Sequence, residues 1–284
     1  MVFSRGGALG LVGALALMMG ACVTDRDNLE IEALEGDMPS FRSDEGLGHM
    51  VSTRPGHLDG GGDWIGNGLD DVDLGGIDVD YGLSTSAGMS ERGSVLMNEH
   101  LRGTAEYLVE CALPARDRIT KVVGDEVLEF RGRLGLAPEW KDGACDVDCQ
   151  QWVSACLLAR TNATGQEIDI WVSGDHPSLG LGTSPEFPHY EATYYGNLFE
   201  DGAPQYLCQG STRGVQIATR QGRTCAGGDP AACGFEVMGS CEDAMRCRVA
   251  SRKSEDFYVE CAEGERPAGR RYHSISVYVR DLGA

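Results

Sequence analysis

The sequence has few aromatic residues, few basic residues and no apolar run long enough to cross a membrane. The apolar stretch of residues 8–19 spans twelve residues, whereas a bilayer-spanning helix needs about 20. Lysine and arginine number 24 against 44 aspartates and glutamates, which gives a net charge of −20. This charge argues against nucleic acid and anionic membrane surfaces as partners.

Familiar catalytic motifs are also missing. The chain contains no Gly-x-Ser-x-Gly sequence, which a nucleophile elbow requires. Ser173, Asp175 and His176 stand side by side, but neighbours on a loop rarely face one another as a triad, so we expect a turn. Cys145 and Cys149 are the only closely spaced cysteines, and zinc sites usually need a second pair. We therefore predict no catalytic residues, no metal and no cofactor.

The N-terminus reads as a signal peptide over residues 1–21. Arg5 supplies positive charge, and residues 8–19 form the apolar region. The following residues, Met19-Gly20-Ala21-Cys22, resemble the lipobox of bacterial lipoproteins. That resemblance implies a diacylglycerol on Cys22, removal of the preceding peptide and anchoring in the cell envelope. Val23 stands where an aspartate would imply retention at the inner membrane, so the resemblance favours the outer membrane.

Cysteine parity agrees with this interpretation. Setting Cys22 aside leaves an even ten of the eleven cysteines, and an exported chain meets an oxidising compartment. We therefore predict five disulfides. The ten cysteines are Cys111, Cys145, Cys149, Cys156, Cys208, Cys225, Cys233, Cys241, Cys247 and Cys261.

Residues 22–89 are predicted to be an acidic, glycine-rich, disordered tether that holds a folded domain away from the membrane. Residues 23–89 contain 15 acidic residues, three basic ones, thirteen glycines and no cysteine, and such a composition buries little apolar surface. The alternative for its densest acidic part is a calcium site, because carboxylate oxygens suit that ion. The candidate ligands would be Asp70, Asp71, Asp73, Asp78 and Asp80.

Residues 90–284 are predicted to form a disulfide-stabilised α+β domain, with two helices packed on a mainly antiparallel sheet and long loops. Helical spacing from Met97 to Ala112 predicts one helix that begins near Ser90 and ends at Pro114. A second helix is expected over residues 148–162, capped by Asp148, and a disulfide from it to Cys111 is favoured. Alternating residues predict strands at 168–172 and 275–279, and weaker patterns suggest strands at 127–130, 215–217 and 257–259. Three disulfides are expected to staple the loop-rich residues 208–261.

The aromatic segment 187–199 holds the candidate ligand-binding residues. Tyrosines with neighbouring polar groups suit a polar ligand such as a sugar, whereas the alternative is a strand whose tyrosines cover the core. His176, His189 and Glu191 would be the residues of a further alternative, a metal or acid–base site. The candidate ligand contacts are His189, Tyr190, Glu191, Tyr194, Tyr195 and Asn197.

The remaining domain resembles cysteine-rich envelope lipoproteins, which implies a location but no activity. We therefore expect a binding or interaction module with a protein or carbohydrate ligand. The alternatives are an extracytoplasmic hydrolase acting on carbohydrate or peptide, and a purely structural envelope protein.

Overall fold

The computed structural model describes residues 49–53, 74–162, 168–200, 202, 205–223, 225, 230–242, 246–252, 255–263 and 269–281. All of them belong to one compact unit, residues 43–284. The predicted signal peptide, Cys22 and most of the predicted tether lie outside these ranges. Within them, every helix is too short or too polar to cross a bilayer.

The fold is α+β, as predicted, but the described residues contain four α-helices rather than two. The helices are α1 (Ser94–Met97), α2 (Arg102–Ala112), α3 (Val147–Ala159) and α4 (Thr212–Arg220). The first six strands are β1 (His49–Thr53), β2 (Arg118–Val123), β3 (Glu126–Arg131), β4 (Ile168–Ser173), β5 (His189–Gly196) and β6 (Gln205–Gln209). The others are β7 (Phe235–Ser240), β8 (Arg248–Arg252), β9 (Glu255–Val259), β10 (Cys261–Ala262), β11 (Arg271–Tyr272) and β12 (Ser274–Val279).

A six-stranded sheet of order β1-β4-β12-β5-β6-β7 forms the centre of the fold. Its pairings are antiparallel except for the parallel contact of β6 with β7, so the sheet is mixed. Val277 and Val279 of β12 face the helices, whereas Tyr278 packs with Phe257 of β9 on the opposite face. The β8–β9 hairpin and the helices α3 and α4 therefore cover opposite faces of the sheet.

The period-two patterns located the two strands β4 and β12 correctly, and β3 and β9 also lie where weaker patterns suggested. Residues 215–217 are not a strand, however, because they lie inside α4. The Ser211 hydroxyl caps this helix by accepting a hydrogen bond from the backbone amide of Gly214 at 3.1 Å. Two apolar residues in a three-residue segment are too few to distinguish a strand from one turn of a helix.

The single helix predicted from Ser90 to Pro114 is broken into α1 and α2. Asn98 is extended, and its side-chain oxygen accepts a hydrogen bond from the backbone amide of His100 at 3.0 Å. Asparagine competes in this way with helical hydrogen bonds, and Met97, the first residue of the predicted helical spacing, is 58% exposed. The cap of α3 also differs from the prediction, because Asp146 rather than Asp148 accepts the amide of Cys149, at 3.0 Å.

All ten predicted cysteines pair. Cys111 of α2 joins Cys156 of α3, which is the favoured link between the two helices. This disulfide closes a loop of 45 residues, so the chain-entropy model assigns it about 4 kcal/mol. The others are Cys145–Cys149, Cys208–Cys241, Cys225–Cys233 and Cys247–Cys261, and the last three staple residues 208–261 as predicted.

The last part of the predicted tether, residues 74–89, is packed into the fold. Leu83 and Met89 are fully buried. The buried ammonium of Lys121 on β2 donates to the carbonyl oxygens of Thr85 at 2.6 Å and Met89 at 2.8 Å. Burial lowers the pKa of Lys121, and Glu91, 3.8 Å away, opposes that shift. Composition missed this order because a few apolar residues and one buried cation hold the segment.

Helix α4 packs closely across β5 at Gly214. A Cβ atom on Gly214 would lie 1.8 Å from the carbonyl oxygen of Tyr190, so only glycine fits there. The Ser211 hydroxyl donates to the same oxygen at 3.1 Å, and Ile217 and Ala218 pack into the core. The crossing fixes which side of α4 is left facing outward.

Candidate functional site

The predicted ligand-binding segment is β5, which lies between β12 and β6 inside the sheet. Tyr278 pairs with Tyr190 and Val277 pairs with Ala192, which leaves Glu191 as an extra residue in a β-bulge. The bulge turns Glu191 toward the helices, on the same side as Ala192. Without it, simple alternation would place Glu191 on the opposite face.

Glu191 belongs to a fully buried ionic cluster beneath α4. Both of its carboxylate oxygens accept from Nε of Arg223, at 2.7 and 2.8 Å, and the Tyr194 hydroxyl donates to it at 3.1 Å. Nη2 of Arg223 donates to the carbonyl of Ala159 at 3.1 Å. Burial raises the pKa of Glu191, and the Arg223 guanidinium opposes that rise. The cluster joins β5, α3 and the segment after α4, so its role is structural.

Two more of the predicted ligand residues are also fully buried. The Tyr195 hydroxyl points to the carbonyl oxygen of Ala262 at 3.4 Å, and the Asn197 amide donates to Gln150 at 3.1 Å. Tyr190 is partly buried and stacks on Tyr258 at a centroid distance of 5.6 Å. The tyrosines thus fill both sides of the sheet, and the structure does not gather them in an exposed groove. His189 is the remaining predicted residue.

His189 contacts a carboxylate at the surface. Its Nε2 lies 3.0 Å from Oδ2 of Asp281, and Oδ1 of the same aspartate accepts from Arg213 at 3.1 Å. Hydrogen bonds from His189 and Arg213 lower the pKa of Asp281. The three side chains form a chain of polar contacts that runs from the first residue of β5 to the first turn of α4.

An open depression of about 500 Å³ lies beside this chain. It is lined by Thr212, Arg213, Gln216, Ile217, Arg220 and Asp281. Five of these residues belong to α4; Thr212, Arg213, Gln216 and Arg220 lie on its exposed side, whereas Ile217 is buried at the floor of the depression. The Gly214 crossing orients this side of the helix, so the depression depends directly on how α4 sits on β5.

The depression is locally basic in a strongly acidic chain. Arg213 and Arg220 lie two helical turns apart, about 10 Å along the axis. Asp281 is its one lining carboxylate, and Arg213 already pairs with it. Within the described ranges Arg220 makes no ion pair. A planar guanidinium with unused donors is suited to a carboxylate or phosphate.

Sequence reasoning missed Arg213, Gln216, Arg220 and Asp281. A signal was present, because Arg213, Gln216 and Arg220 recur at intervals of three and four, which is the spacing of one helical face. The interpretation of residues 215–217 as a strand concealed that spacing. Asp281 had no comparable signal, since its role depends on the tertiary position of β12.

The alternative metal set His176, His189 and Glu191 does not come together in the described structure. His189 contacts Asp281, and Glu191 is enclosed with Arg223. The third residue, His176, packs on the Trp152 ring at a centroid distance of 4.9 Å. Its Nδ1 accepts the backbone amide of Ser178 at 3.1 Å. Burial lowers the pKa of His176, Asp148 opposes the shift, and His273 adds to it.

A second histidine, His273, stacks on Trp152, with its ring centroid 4.5 Å from that of Trp152, and it also contacts Asp148.

The neighbouring Ser173, Asp175 and His176 do not form a triad, because Ser173 is buried and Asp175 accepts from Arg248 at 2.8 Å. These contacts agree with the prediction that the three residues belong to a turn.

The calcium candidates are covered only in part. Asp70, Asp71 and Asp73 lie outside the described residues. Asp78 and Asp80 are exposed, and the Asp78 carboxylate accepts the backbone amide of Asp80 at 3.0 Å, as in a polar turn.

No protein-family model, curated protein or solved structure matches this chain.

Proposed function

We propose that the protein is exported, is anchored in the cell envelope by a lipid on Cys22, and acts there as a binding module. The lipobox resemblance and an even number of the other cysteines support this proposal. Five disulfides support an oxidising compartment, because cytosolic thiols are kept reduced. Val23 favours the outer membrane.

Mass spectrometry of the intact mature protein tests the anchor. We expect a chain that begins at Cys22 and carries acyl groups. Alkylation without reduction should add no mass, because the other ten cysteines are paired. A chain that begins elsewhere, or several alkylated thiols, would contradict the proposal.

The ligand that best fits the depression on α4 is an acidic segment of a partner protein. The observation that carries this proposal is the pair Arg213 and Arg220 on the outward side of one helix, in a chain of net charge −20. Salt screens the repulsion from distant acidic residues over about 8 Å, so nearby arginines dominate at contact. The six lining residues include no aromatic ring on which a sugar could stack, which favours peptide over carbohydrate.

A hydrolase is the second candidate, because His189 and Asp281 form the histidine–carboxylate contact that acid–base catalysis uses. Arg213 also pairs with Asp281 and lowers its pKa, so this aspartate is held as a carboxylate. The sequence contains none of the familiar motifs that would supply a nucleophile for this reaction. We therefore rank binding above hydrolysis.

Replacing Arg220 by glutamine should weaken binding of an acidic peptide at least about tenfold. A hydrogen bond to a charged group contributes about 1.5–3 kcal/mol, and about 1.4 kcal/mol corresponds to a factor of ten. The measurement is fluorescence anisotropy with a dye-labelled heptaglutamate at low and physiological salt.

Arg116→Gln is the matched control, because Arg116 is also exposed but does not line the depression. The variant should bind like the unmodified protein. Equal losses in both variants, or no binding by the unmodified protein, would contradict the proposal. Binding of tetragalacturonate in preference to the peptide would also overturn it and would identify a carbohydrate ligand instead.

A further inference from the structure

Two disulfides lie side by side on the face of the sheet opposite α3 and α4. Sγ of Cys208, bonded to Cys241, lies 3.8 Å from Sγ of Cys247, which is bonded to Cys261. The sulfurs of Cys208, Cys247 and Cys261 all lie within 4.8 Å of one another. All four cysteines are buried, at 3% exposure or less.

Backbone hydrogen bonds hold each cysteine pair in place independently of its disulfide. The amide of Cys241 donates to the carbonyl of Gln209, next to Cys208, at 2.9 Å. The amide of Ala262, next to Cys261, donates to the carbonyl of Arg246, next to Cys247, at 2.7 Å. The sulfurs are therefore expected to stay close together when the two S–S bonds are opened.

The spacing matches that of a metal–thiolate site. In a tetrahedral zinc site the Zn–S bonds are about 2.3 Å, so neighbouring sulfurs are about 3.8 Å apart. The distance of 3.8 Å between the sulfurs of Cys208 and Cys247 is compatible with this separation. Tyr195, Tyr206, Met238 and Tyr272 surround the sulfurs in one buried cluster. Such a shell excludes water.

A cation is available to balance the charge of four thiolates. Arg246 directly precedes Cys247, and its Nε and Nη1 atoms are buried without a hydrogen-bond acceptor among the described residues. Its charge reaches the cluster, because Arg246 opposes the rise that burial causes in the pKa of Tyr195. Zinc bound by four thiolates carries two negative charges, and a buried guanidinium offsets part of that charge.

We propose that Cys208, Cys241, Cys247 and Cys261 form a Zn²⁺ site in the reduced protein. Two dithiol molecules reduce the two disulfides; each gives up two electrons and two protons and becomes a disulfide itself. The four thiols then lose their protons as their sulfurs bind Zn²⁺. This inference does not depend on the peptide-binding proposal.

The test uses the full-length chain, reduced anaerobically with a phosphine and titrated with Co²⁺ as a spectroscopic substitute for zinc. We expect one equivalent to give the visible bands of tetrahedral cobalt with thiolate-to-metal charge transfer, and Zn²⁺ to displace it. The double variant Cys247→Ser, Cys261→Ser should lose the signal, with affinity lowered at least about 100-fold.

The matched control is Cys225→Ser with Cys233→Ser, which removes one disulfide outside the cluster and leaves the same number of cysteines. This variant should keep the cobalt spectrum. A tetrahedral thiolate spectrum in the Cys247/Cys261 variant, or its absence in reduced, folded wild type, would overturn the proposal. If reduction unfolds the chain, Zn²⁺ should restore the far-ultraviolet circular dichroism, and no restoration would equally overturn it.

Discussion

Gly214→Ala should destabilise the protein by more than about 3 kcal/mol, the upper end of the usual cost of overpacking. The added Cβ would lie 1.8 Å from the carbonyl oxygen and 2.4 Å from the carbonyl carbon of Tyr190. Both atoms belong to the backbone of a strand inside the sheet, so no side chain can rotate away. Urea unfolding with all disulfides intact measures the change, as a lower midpoint or a loss of folded protein.

Gly103→Ala is the control for this substitution. Gly103 lies in α2, and a Cβ there would meet no atom within 4 Å. Alanine in an open helical position should leave stability unchanged or raise it by up to about 1 kcal/mol. A Gly214→Ala protein that unfolds at the wild-type midpoint would show that α4 does not cross β5 so closely. It would also remove the reason for the orientation of Arg213 and Arg220.

Glu191→Gln should cost about 3–5 kcal/mol, the range measured when one partner of a buried ion pair is removed. The substitution keeps the shape of the side chain but leaves the Arg223 guanidinium buried without a counter-charge. Glu129→Gln is the matched control, because Glu129 pairs with Arg131 at 2.9 Å on an exposed surface. Its cost should stay below about 1 kcal/mol. Chemical unfolding of both variants gives the comparison.

Removing both charges of the buried pair distinguishes two causes of lost stability. One is the burial of an unpaired cation, and the other is poorer packing. The double variant Glu191→Leu, Arg223→Met should regain most of the stability that Glu191→Gln loses, since apolar side chains of similar volume often replace a buried pair without cost. If Glu191→Gln is as mild as Glu129→Gln, the Glu191 carboxyl is protonated in the folded protein and the ionic cluster is not what holds β5 to α3.

Patterns of short range predicted much of the fold. Alternation located β4 and β12, since apolar residues recur at every second position of each strand, although both faces of β12 are buried. The favoured disulfide from the second predicted helix to Cys111 is also present, between Cys111 and Cys156. The strand predictions needed only the pattern within one element.

Features that depend on contacts between distant parts of the chain could not be predicted from the sequence. Glu191 was predicted to contact a ligand, because no residue near it in sequence indicates its ion pair with Arg223, 32 residues later. The sequence likewise does not indicate the bulge that turns Glu191 inward. The candidate depression depends on α4, and two apolar residues of this helix, Val215 and Ile217, resembled part of a strand. The four sulfurs next to one another are 33, 6 and 14 residues apart in sequence, so they lack the close pairs that indicate a zinc site.

The hydrogen bonds of Lys121 also bear on where the domain can be truncated. A fragment that begins at Ser90, where the acidic composition ends, would lack the carbonyl groups of Thr85 and Met89. The buried ammonium would then have lost two acceptors, and the space filled by Leu83 and Met89 would be empty. A drop in charge density is therefore a poor guide to where this domain can be cut, because residues 83–89 before that drop belong to its core.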